Sequence, residues 1–86
     1  MKEHIEKLIK YIPIVDRVHG NNHPEFHKVR DIFTEIVKKI DRNEDVTADF
    51  ELLKVVTKNY EIPSDVCESY TEVFETLALL DQHYSQ

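Results

Sequence analysis

Four stripes of apolar residues at helical spacing divide the chain of 86 residues. The first is Ile5, Leu8, Ile9, Ile12 and Val15, with His19 continuing the same line. The second is Phe26, Val29, Phe33, Ile36 and Ile40, and the third, shorter one is Val46, Phe50, Leu53, Val56 and Tyr60. The fourth is Val66, Tyr70, Val73, Phe74, Leu77, Leu80 and Tyr84. A recurrence of three to four residues places these side chains on one face of a helix. The stripes predict helices over 3–19, 24–41, 47–60 and 64–84.

The segments between stripes carry stop and start signals. Gly20, Asn21 and Asn22 tolerate left-handed backbone and end the first helix. Pro24 suits the first position of the second helix. Asp41 to Asp45 is a charged turn. Pro63 and Ser64 form a stop and restart, with Ser64 as the N-cap of the last helix and Asp65 and Glu68 in its first turn, where the helix dipole favours negative charge. Pro13 lies inside the first stripe and removes one backbone hydrogen bond, so a kink or a broken first turn is expected there. Short connections between four amphipathic helices imply an all-α fold: an antiparallel four-helix bundle forming one domain over 1–86.

Composition agrees with a packed globular chain, at 41% hydrophobic and 33% charged residues. One Gly and three Pro leave little for long loops or hairpins. No apolar run approaches a membrane span, and no signal-peptide pattern precedes the first helix, so a cytoplasmic protein without membrane association is expected. The single cysteine, Cys67, has no internal disulfide partner, which fits a reducing compartment. Net charge is −6 and unevenly placed: residues 1–43 hold nine Lys/Arg against seven Asp/Glu, and residues 44–86 hold two against ten. Nucleic-acid binding is disfavoured, because it needs clustered Lys and Arg. Packing of the basic half beside the acidic half is the simple reading; an acidic surface that docks a basic partner is the sharper one. No phosphate-cradling glycine loop or nucleophile–base motif occurs, so no enzyme activity is expected.

Against each stripe, a few polar residues point inward. Asp16 and His19 fall on the core side of the first helix one turn apart, which predicts a hydrogen-bonded pair. Thr57 and Asp81 lie close to the third and fourth stripes. Asp16, His19 and Asp81 are therefore the candidate core polar cluster. His23, His27 and Asp31 have the spacing of metal ligands on one helix face, yet that face lies opposite Phe26, Val29, Phe33 and Ile36. They are expected in solvent, as weak surface candidates for an adventitious metal at most. Cys67, in the predicted first turn of the last helix and flanked by Asp65 and Glu68, reads as a small packing residue.

Two stretches carry a family resemblance. Leu8 to Phe26 reads LIKYIPIVDRVHGNNHPEF, with Val18-His19-Gly20 followed by His23-Pro24-Glu25. Leu52 to Leu80 contains Thr57, Asn59, Tyr60, Pro63, Asp65, Cys67 and Tyr70 in order. Together these resemble the hemerythrin-like iron–sulfur cluster repair proteins. The resemblance implies a four-helix bundle and, in that family, a di-iron centre held by four His and two bridging carboxylates. The usual His-x-x-x-Glu pairs are absent here, and the end of the second helix reads Ile40-Asp41-Arg42-Asn43-Glu44. The third helix has no His, His83 falls one turn early on the fourth, and His4 does not replace the first-helix ligand. The inward groups reduce to Asp16, His19 and Asp81, too few to bridge two irons.

The expectation is a shortened, ligand-depleted relative with no cofactor, acting through a protein partner, in a stress response. One alternative is an iron-binding repair protein whose site is completed in a homodimer by His19 and His83. Another is an unrelated small inhibitor or immunity-type bundle.

Overall fold

The computed structural model describes residues 2–84. It contains four helices and, among the described residues, no strand: α1 (Lys2–His19), α2 (Glu25–Asp41), α3 (Thr47–Thr57) and α4 (Glu68–Tyr84). α1 packs against both α2 and α4, and α2 packs against α3. No described helix is long and apolar enough to cross a membrane.

The four stripes meet in one hydrophobic cluster. Leu8, Ile12 and Val15 of α1 join Phe26, Val29, Phe33 and Ile36 of α2, Phe50 and Leu53 of α3, and Tyr70, Val73, Phe74, Leu77 and Leu80 of α4. Aromatic rings set its centre: Phe26 lies 5.2 Å from Tyr70 and Tyr70 lies 4.7 Å from Phe74, both in tilted contact. Ile9 departs from its stripe, at 50% exposure. It sits about 100° round the helix from Leu8 and so turns out of the core line toward the side of α1.

Several boundaries differ from the sequence expectation. α1 runs through Pro13 without a break, and the proline lies on its exposed side. Gly20 does not adopt left-handed backbone. Its lack of a side chain matters for another reason: a Cβ there would collide with the Asp16 carbonyl oxygen and come within 2.7 Å of the His27 ring. Glycine thus lets the start of α2 lie close against the end of α1. Pro24 is the N-cap of α2, already at helical φ −62 and ψ −22.

α3 stops at Thr57 rather than running to Tyr60. Lys58, Asn59 and Tyr60 all take positive φ, at 54°, 61° and 61°. The Asn59 N–H donates back to the Lys54 carbonyl at 2.7 Å, the closing bond of a Schellman-type terminus. The buried Thr57 hydroxyl donates to the Leu53 carbonyl and accepts from the Tyr60 N–H, which holds the reversal in place. α4 begins at Glu68 rather than Ser64. The Cys67 carbonyl accepts the Thr71 N–H at 3.2 Å, so Cys67 occupies the capping position expected of Ser64. Asp65 lies outside the helix and turns to His23 instead.

Candidate functional site

Three polar arrangements and one apolar groove stand out. The first arrangement is the corner where the α1–α2 turn meets the start of α4. His19 Nε2 lies 3.0 Å from Cys67 Sγ. His23, only 15% exposed at its side chain, places Nδ1 at 3.2 Å from Glu25 Oε2 and Nε2 at 3.0 Å from Asp65 Oδ1. Both imidazoles rest on Tyr70, at ring distances of 5.5 and 5.6 Å. Tyr70 is 0% exposed, and its hydroxyl has no hydrogen-bond partner in the protein. Burial, with the carboxylates of Glu25 and Asp65 nearby, pushes that hydroxyl up to about 12.

The second arrangement surrounds Asp16. The Arg30 guanidinium donates to Asp16 Oδ2 at 2.6 Å, and His27 Nδ1 lies 2.6 Å from Oδ1 without the alignment of a hydrogen bond. Arg30 also holds Asp31, and hydrogen bonding to Asp31 followed by attraction to Asp16 raises the guanidinium's affinity for its proton. The third arrangement surrounds Asp81, which is buried. Tyr60 donates its hydroxyl to Asp81 Oδ2 at 2.8 Å, and Lys54 Nζ stands 3.6 Å from the same oxygen. Burial, then the bond to Asp81, pushes the Tyr60 hydroxyl far above the ordinary range for tyrosine.

The expected Asp16–His19 pair is thus replaced. Asp16 takes its partners from α2, while His19 turns to Cys67 across the corner. Asp81 belongs to a separate place in the interior, so Asp16, His19 and Asp81 do not form one cluster. His27, expected in solvent, keeps 48% of its side chain exposed yet reaches Asp16 by passing over Gly20. His23 is largely covered, whereas Asp31 is exposed and paired with Arg30. Cys67 is not a packing residue but an exposed thiol. Tyr60 and Tyr70 were legible only as stripe members. Nothing in the sequence marked Tyr60 as Asp81's partner, because the reversal at 58–60 that swings it there has no glycine signal.

The residues do not fit a di-iron centre. Among the described residues, no three His, Cys, Asp or Glu side chains gather where they could share an ion. Among the described residues, the buried carboxylates Asp16 and Asp81 already face cations or a hydroxyl. Comparison with family models, curated proteins and solved structures finds no match.

The groove runs between α1 and α2. Ile9, Ile12, Pro13, Phe33 and Val37 line it, and it encloses about 300 Å³. Arg30 and Lys38 also line it. Ile9 and Pro13 are exposed along it, so the groove leaves apolar surface uncovered.

Proposed function

We propose that the chain is a non-catalytic relative of the hemerythrin-like repair proteins, an antiparallel bundle that works by holding a protein partner, with a role in a stress response. Kinship is supported by the meeting of the two resembling stretches: His19 contacts Cys67, and His23 contacts Asp65, across 48 and 42 residues of sequence. The interaction role is carried by the apolar groove between α1 and α2. Its occupant, on this reading, is a partner segment with apolar residues and an acidic flank, suited to exposed Lys38 among the lining residues, since Arg30 is already held by Asp16 and Asp31.

A photo-crosslinking residue placed at Ile9 or Thr34, in the cell the protein comes from, tests this. Both positions should yield the same discrete adduct, and the same residue at exposed Glu51 on α3 should not. An adduct of twice the chain's mass makes the partner a second copy. The absence of any adduct at both groove positions contradicts the reading.

A further inference from the structure

A second opening lies between the start of α2 and the loop after α3, and it shares no lining residue with the groove. It encloses about 650 Å³. Tyr70 and Phe74 belong to its inner wall, Ile62 and Pro63 to its side, and Glu25, Glu61 and Asp65 to its rim. We propose that this cleft takes the guanidinium of an arginine side chain presented by a protein partner. The inference rests on the reading of the chain as an interaction module, but not on the groove.

Three features point to that chemistry. The rim sets three carboxylates against one lysine, Lys58, so an anion is disfavoured at the mouth. Glu25 and Asp65 each direct one oxygen at His23, which leaves each a second oxygen able to accept. A planar guanidinium offers five donors in a fixed fork and matches carboxylates better than an ammonium does. The third feature is the Tyr70 hydroxyl, fully buried at the inner wall with no protein partner. Its oxygen is closed to solvent as the cleft stands; a guest that parts the wall with an N–H donor supplies it with a bond, which a purely apolar guest cannot. The apolar stem of arginine then lies along Ile62, Pro63 and Phe74, as long cationic side chains commonly do. The opening is large enough for the side chain and the backbone that bears it.

The test is an NMR titration of the whole chain with N-acetyl-arginine methylamide, beside its citrulline counterpart and free L-arginine. The arginine amide should give saturable shifts at Tyr70, Phe74 and Ile62. The neutral citrulline amide should bind at least about tenfold more weakly, since it loses the charge-assisted bonds. Free L-arginine should also bind less tightly, because its own carboxylate meets the acidic rim. Raising sodium chloride from about 20 mM to about 300 mM should weaken binding several-fold. The double variant E25Q/D65N should weaken it about tenfold. Should that variant fail to fold, E61Q and Y70F, each expected to weaken binding, replace it. Shifts that fail to saturate, or equal binding of the citrulline amide, overturn the proposal. Equal or tighter binding of free L-arginine overturns the assignment to a protein-borne side chain. Saturable binding with no groove adduct would sink the groove and keep the cleft; a groove adduct with no saturable binding would do the reverse.

Discussion

Tyr70 is where one side chain carries most of the molecule's tension between packing and polarity. Its ring fills the centre of the aromatic cluster, while its buried hydroxyl lacks a protein partner. Replacing it with phenylalanine keeps the packing and removes the unsatisfied group, so Y70F should stabilise the free protein by about 1 kcal/mol near neutral pH. The pH dependence has a definite sign. Its folded value is raised, to about 12, so its contribution is intact below the ordinary tyrosine value and is lost as pH rises through the folded one. Denaturation midpoints of Y70F should therefore fall less than those of the wild type across that alkaline window. An equal fall in both would refute the placement, once the contribution of Tyr60 is matched by doing the comparison in Y60F as well. At this scale the core was legible in the sequence, because a stripe such as Phe26, Val29, Phe33 and Ile36 needs only the helical period. The partners of His19 and His27 were not. They depend on how closely two helices approach at Gly20, which is a tertiary distance rather than a pattern along the chain.

Helix ends show a similar divide. The existence of all four helices follows from periodicity, but two of their boundaries were decided by contacts that the local sequence does not announce. Ser64 and Asp65 have good capping chemistry, yet Asp65 faces His23 and the cap falls to Cys67. Lys58 and Tyr60 are poor candidates for left-handed backbone, and they adopt it where Thr57 and Asp81 hold the reversal. α3 begins at an N-cap, Val46, that has no side-chain cap of its own, and Asp45 just outside it supplies the acceptor. Asp45 accepts the Thr47 N–H at 3.1 Å and the Thr47 hydroxyl at 2.7 Å, an acceptor at the N-terminal end of a short helix. These two bonds, the hydroxyl's first, lower the Asp45 carboxyl below the usual aspartate value. A depressed folded value means the contribution is present above the unfolded value and is lost as pH falls through the folded one. D45N should hence flatten the acid limb of the stability profile measured by circular dichroism, and D45A should lower the midpoint at neutral pH. If D45A melts with the wild type at neutral pH, Asp45 does not secure α3.

Over the whole molecule, the uneven charge resolves partly into contacts between the halves. Lys7 reaches Glu72 at 2.9 Å and Lys39 reaches Asp49 at 2.8 Å, so cations of α1 and α2 meet anions of α4 and α3. Such pairs near the surface add little net stability and orient the halves more than they hold them. The hydrophobic cluster does the holding. What distinguishes the interior from that of a di-iron bundle is the fate of its inward carboxylates: Asp16 is committed to Arg30 and His27, and Asp81 to Tyr60 and Lys54. A bridged metal pair needs carboxylates and imidazoles converging from several helices, each oriented by a further bond. The iron content of untagged protein purified without oxygen, taken together with its optical spectrum, tests whether these carboxylates are free to hold metal. Far less than one iron per chain and no oxo-bridge absorption are expected. About two irons per chain with that band, the signature of a bundle-held di-iron centre, would contradict that expectation.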